Sequence, residues 1–99
     1  MARFKILKYA KIVSTQAKAL SLRKSGTVVV AEEQTGGKGR FRRKWSSGKG
    51  GLYFSVSVVM RKVDEAPILS LVAGLAGRQA IRNVCGIRAE LKWPNDIMV

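Results

Sequence analysis

Gln34-Thr35-Gly36-Gly37-Lys38-Gly39-Arg40-Phe41-Arg42-Arg43-Lys44-Trp45 interleaves glycines with cations as no other part of the chain does. Glycines let backbone N–H groups approach an anion with no Cβ in the way, and arginines supply fork-shaped donors for phosphate or carboxylate oxygens. The basic segment continues through Gly48, Lys49, Gly50 and Gly51. Like charges and glycines predict a loop over 35–51 that lies outside the core, is mobile when empty and orders by closing over something negative. Two familiar phosphate patterns fail here. A P-loop ends in Gly-Lys followed by Ser or Thr, and a dinucleotide fingerprint needs glycine where Arg42 stands in Gly37-x-Gly39-x-x-Arg42.

Outward from the loop, the compact β-branched run Thr27 to Ala31 predicts a buried strand. Ahead of it, Ser14 and Thr15 offer an N-cap, Gln16 to Arg23 with Ala17, Leu20 and Leu22 reads as a short helix, and Gly26 closes it. Phe4 to Val13 mixes apolar residues and lysines in partial alternation, as an amphipathic strand does. After the loop, Leu52 to Met60 alternates cleanly: Leu52, Phe54, Val56, Val58 and Met60 share one face, Tyr53, Ser55 and Ser57 the other. Asp64 and Glu65 then open a helix with Pro67 in its first turn, and Ile68, Val72, Ala76, Ala80 and Val84 form an i, i+4 stripe ending before Gly86. Arg88 to Lys92 is a short strand, Trp93-Pro94-Asn95-Asp96 has turn chemistry, and Ile97 to Val99 begins another strand. The pattern is α+β, a mostly antiparallel sheet with packed helices.

The 99 residues suit one domain, and 46% hydrophobic content suffices for a core. With no histidine and one cysteine the chain has neither an internal disulfide nor a His/Cys metal site, and Cys85 is expected at a core position on the second helix. No apolar run approaches the ~18 residues of a membrane span, and no signal-peptide succession opens the chain, so a cytoplasmic protein is expected. Nineteen Lys and Arg against six Asp and Glu give a formal charge of +13. Such a field attracts nucleic acid, a polyphosphate such as ATP, or an acidic protein domain, and charge alone does not separate them.

The loop resembles the signature of biotin protein ligases on Ala31-Glu32-Glu33-Gln34-Thr35, Gly37-Lys38-Gly39-Arg40, Arg43-Lys44-Trp45 and Gly50-Gly51-Leu52-Tyr53-Phe54-Ser55. The resemblance extends back to Ser14-Thr15-Gln16, similar to the family's Ser-Thr-Asn, and forward to Leu91-Lys92-Trp93-Pro94-Asn95-Asp96-Ile97. It implies the class II synthetase-like biotin/lipoate ligase fold, with this chain as its N-terminal part. It implies ATP-dependent activation of biotin to biotinyl adenylate with Mg²⁺, then transfer to a lysine of an acidic biotin carboxyl carrier domain. The family's later lysine, Gly-rich strand and C-terminal barrel fall outside the 99 residues, and no helix-turn-helix precedes the first strand, so a repressor role is not expected.

Residue by residue, the resemblance assigns Ser14, Thr15 and Gln34 to the ureido ring of biotin, with Gln16 beside them. Gly37, Lys38, Gly39 and Arg40 would close over the biotin carboxylate and the adenylate phosphate, Arg40 acting in catalysis. Arg43 would meet nucleotide phosphates, Trp45 would pack near the adenine, and Asn95 and Asp96 would line the nucleotide side. Plain readings stand beside these: Ser14 as an N-cap, Trp45 as a core aromatic, Pro94-Asn95-Asp96 as a turn. Two positions depart from the family, Lys38 for arginine and Arg42 for glycine. Two rival functions stay open, a biotin-binding remnant and a small RNA-binding protein that stacks bases on Trp45, Tyr53 and Phe54. Self-association is expected along the edge at Ile97 to Val99.

Overall fold

The computed structural model describes residues 4–59, 62–92 and 96–99, with Arg40 and Val63 described by their backbone alone. The chain divides into two compact units, Met1–Val59 and Met60–Val99.

In the first unit β1 (Lys5–Ile12), β2 (Thr27–Gln34) and β3 (Tyr53–Ser57) form one sheet in that order. β1 runs parallel to β2, and the helix α1 (Thr15–Leu22) makes the crossover that a parallel pair requires. β3 returns antiparallel to β2, pairing Val29 with Ser55 and Ala31 with Tyr53. α1 packs against β2 and β3 and covers one sheet face. Register places Leu7, Tyr9, Thr27, Val29, Ala31, Tyr53, Ser55 and Ser57 on that face, and Val29 is fully buried. Ser14 caps α1 through its Oγ, which accepts the Ala17 N–H at 3.2 Å. Its plain reading therefore holds, and Ser14→Ala is expected to cost about 1 kcal/mol in chemical denaturation.

Three expectations are corrected here. β2 continues past Ala31 to Gln34, because Glu33 and Gln34 go on pairing with Lys11 and Ile12. α1 ends at Leu22 with Arg23 as its left-handed C-cap (φ 52°), so the helix closes at Arg23 and not at Gly26. β3 spans Tyr53–Ser57, shorter than the Leu52 to Met60 stretch read as strand, and its small polar face is the inward one: Ser55 and Ser57 are half-buried under α1, whereas Phe54 and Val56 are exposed on the open face.

In the second unit a 3₁₀ turn (Val63–Glu65) leads into α2 (Ala66–Cys85), with Pro67 in its first turn and Gly86 as its left-handed C-cap. The antiparallel hairpin β4 (Glu90–Lys92) and β5 (Asp96–Met98) packs against the helix. Two of the chain's three strand pairings are thus antiparallel among the described residues. Helix and hairpin meet at glycines: a Cβ at Gly77 would lie 2.8 Å from Ile97 Cδ1, and one at Gly74 would lie 3.3 Å from Leu91 Cδ2. The stripe read from the sequence points elsewhere, since Ile68, Val72 and Val84 are exposed. Cys85 is exposed as well, contrary to the core position expected for it, because it sits in the last helical turn, beyond the contact with the hairpin. No helix among the described residues is long and apolar enough to cross a membrane.

Candidate active site

Parallel pairing of β1 with β2 brings both C-terminal ends to one edge of the first unit. The pairing runs on beyond the strands, Thr35 N–H to Ile12 O at 3.0 Å and Gly36 N–H to Val13 O at 2.7 Å. The N-terminus of α1 and the base of the basic loop therefore lie side by side. Gln34 joins them. Its Oε1 accepts the Thr15 N–H at 2.7 Å, satisfying a first-turn donor of α1, and its Nε2 donates to Ser47 Oγ at 3.1 Å. Thr15 Oγ1 pairs with Ser55 Oγ at 2.8 Å, and Ser47 Oγ donates to the Trp45 carbonyl at 3.1 Å.

The loop is an arch rather than a free coil. Gln34 N–H bonds Ser47 O at 3.0 Å, Trp45 N–H bonds Gly37 O at 2.8 Å, and Gly39 N–H bonds Arg43 O at 2.6 Å. Gly37 sits inside this base, where a Cβ would lie 2.6 Å from Ser47 Oγ and 2.7 Å from the Trp45 carbonyl oxygen. Ser47 is 5% exposed, so the loop does reach the interior at its base, contrary to the expectation for 35–51. At the tip a 3₁₀ turn (Arg40–Arg42) carries Phe41 and Arg42 both at φ 59°. Two successive side-chain-bearing residues in the left-handed region cost on the order of 1 kcal/mol each. Arg42→Gly is accordingly expected to favour the closed arch by about 1 kcal/mol, read as roughly fivefold slower hydrogen exchange at the Gly39 and Trp45 amides.

Thr15, Gln34 and Gly37 thus form one hydrogen-bonded cluster, with the Ser14 cap and exposed Gln16 at its margin. Lys38, Arg43 and Trp45 are exposed on the arch, and only the backbone of Arg40 is described. Trp45, 60% exposed, is no core aromatic. Asp96 is exposed in the second unit, while Trp93, Pro94 and Asn95, with the turn read there, lie outside the described residues. A cavity of about 380 Å³ beside α1 meets Gln16 and Ser55 at the margin of the cluster, and another of about 380 Å³ on the open face meets Gly51. Neither contains Gln34 or Gly37.

Sequence reading missed Ser47 and Ser55. A signal was available for Ser55 alone: serines alternate with aromatics and valines after the loop, placing the Ser55 hydroxyl toward the α1 N-terminus. The RNA-binding reading loses its platform, because Tyr53 and Phe54 are strand neighbours on opposite faces and the Tyr53 hydroxyl donates to Gly48 O at 2.7 Å. No group of three metal-ligating side chains occurs among the described residues. Exposed cations along the arch make it the expected first site of tryptic cleavage, between Lys38 and Lys49; first cuts after Lys8, Lys11 or Arg23 would contradict that.

Comparison with known proteins matches this arrangement to one family. The model of the biotin/lipoate A/B protein ligase family covers residues 9–99. The bifunctional ligase/repressor BirA of Bacillus spizizenii is 40% identical over 96 residues, which are 89% of this chain and 29% of that protein. A biotin protein ligase of Aquifex aeolicus, solved with biotin and ATP, superposes with a TM-score of 0.87 at 36% identity over 96% of this chain and 41% of that one. The Leishmania major ligase with biotinyl-5-AMP superposes with a TM-score of 0.83 at 33% identity over 95% and 47%. The chain spans less than half the length of these relatives. Over that span, backbone and sequence agree, and the chain belongs to the biotin/lipoate A/B protein ligase family.

Proposed function

We propose that the chain supplies the biotin-activating segment of a biotin protein ligase. The observation that carries this reading is the single cluster at one sheet edge in which Thr15, Gln34 and Gly37 tie a polar pocket base to a cationic arch. Ser14, Thr15, Gln16 and Gln34 would face the ureido ring. Oε1 of Gln34 keeps a second lone pair and Nε2 a second hydrogen, so the amide still offers both an acceptor and a donor.

In the reaction a biotin carboxylate oxygen attacks the α-phosphorus of ATP, the bond to the bridging oxygen breaks, and pyrophosphate leaves with biotinyl adenylate formed. Two anions must be held together, and Lys38, Arg40, Arg43 and the arch amides neutralise them. A carrier lysine, as the free amine, then attacks the acyl carbon and expels AMP, while the closed arch keeps water from the mixed anhydride. Mg²⁺, held largely through the nucleotide phosphates, would offset triphosphate charge. Trp45 would pack near the adenine. The positive field suits an acidic carrier domain.

The test is biotin-dependent exchange of labelled pyrophosphate into ATP, run on the 99-residue chain and on the same chain joined to the C-terminal remainder of the Bacillus relative. Exchange is expected in the joined protein and not in the chain alone. No exchange and no biotin binding in a folded joined protein would defeat the proposal.

A further inference from the structure

The Gln34 amide has only one orientation that satisfies its neighbours. A backbone N–H can only donate, so the Thr15 amide demands an oxygen, which sets Oε1 at 2.7 Å from it and turns Nε2 to Ser47. The Ser47 hydroxyl has one hydrogen. It receives the Gln34 hydrogen bond and spends its own hydrogen on the Trp45 carbonyl, and the Trp45 N–H reaches the Gly37 carbonyl at the opposite stalk of the arch. A directed series of hydrogen bonds therefore runs from the first turn of α1 through Gln34, Ser47 and Trp45 to Gly37. Every link is oriented, and among the described residues Ser47 is the side chain that connects the amide to the arch.

We propose that Ser47 is a positioning residue that couples the Gln34 amide to closure of the basic arch. With Ser47 in place, Gln34 presents a fixed donor and acceptor, and a ligand that bonds the amide stiffens the arch through the hydroxyl. A ligand that needed the amide reversed would break the Thr15 and Ser47 bonds together, so the same link sets specificity by polarity. The coupling rests on reading Gln34 as part of the biotin site.

Tryptic cleavage between Lys38 and Lys49 in the 99-residue chain provides the test, with circular dichroism to verify folding. Ser47→Ala removes the link, and cleavage is expected to speed up about fivefold, the factor set by one neutral hydrogen bond. Ser46→Ala alters an exposed neighbour and is expected to leave the rate unchanged. Gln34→Glu keeps an oxygen for Thr15 but sets an acceptor against Ser47, drawing its hydrogen away from Trp45, and is expected to loosen the arch as Ser47→Ala does. Ser47→Ala or Gln34→Glu cut at the wild-type rate would overturn the proposal. The same assay with biotin, repeated on the joined protein, reads the coupling itself: protection in wild type that vanishes in Ser47→Ala supports it, and equal protection in both overturns it. If biotin protects neither while Ser47→Ala still loosens the arch, the link stands and the assignment of biotin to Gln34 fails.

Discussion

Gly37→Ala is expected to open the arch and to destabilise the first unit by about 2–3 kcal/mol, the upper part of the range for overpacking. The added methyl would lie 2.6 Å from Ser47 Oγ and 2.7 Å from the Trp45 carbonyl oxygen, and 3.1 Å from Gln34 Nε2. Neither main-chain oxygen nor buried hydroxyl can retreat without losing a bond: moving Trp45 O breaks its link to Ser47, and moving Ser47 breaks its link to Gln34. The effect should appear as a lower urea midpoint with an unchanged slope, and as faster exchange of the Trp45 amide. Gly39→Ala is the matched control. A Cβ there meets its nearest neighbour, the Trp45 ring, at 3.6 Å, an ordinary contact, so its effect should be several-fold smaller. Similar losses at both positions would mean that backbone freedom, and not the packed base, is what the arch requires.

Arg40→Ala carries the largest expected effect on chemistry. Bringing a carboxylate to an α-phosphate concentrates negative charge on the phosphoryl oxygens as the new bond forms, and removing one preorganised donor at such a centre costs about 10²- to 10³-fold in rate. The loss should fall on the rate of biotin-dependent pyrophosphate exchange in the joined protein, with biotin affinity changed far less, since the ureido contacts are proposed at Thr15 and Gln34, apart from Arg40. Lys38→Arg is the informative companion, adding a guanidinium fork in place of a point charge, and it is expected to tighten substrate binding modestly without rescuing Arg40→Ala. If both substitutions left the exchange rate alone, the arch would be a cover and not part of the charge-stabilising machinery.

Much of the fold was legible because local signals and tertiary outcome agree where they are strongest. The β-branched run at Thr27 to Ala31, the Ser14 cap and the Pro67 helix start needed no partner to be recognised, and the structure has them at those places. The misreadings share a cause. Periodicity reveals that a strand or helix has an apolar face and says nothing of which neighbour covers it. Phe54 and Val56 on β3, and Ile68 and Val72 on α2, are apolar faces that the described neighbours leave exposed. Small residues did the packing instead: Ser55 under α1, Gly74 and Gly77 against the hairpin. In the candidate site the glycines and arginines announced an anion-binding loop, but Ser47 carries no local signature. Its role comes from a pairing with Gln34 across the loop, which no window of sequence contains.

The glycine contact between α2 and the hairpin has a mechanical consequence. Ile97 rests almost directly on helix backbone at Gly77, and Asp96 is its immediate chain neighbour on β5. The thickness of a single methyl group at position 77 would act as a shim under the strand. Since a Cβ there meets Ile97 Cδ1 at 2.8 Å, the strand would have to lift by several tenths of an ångström or the isoleucine rotate. The height at which β5, and with it Asp96, stands above the helix is therefore gauged by an absent side chain.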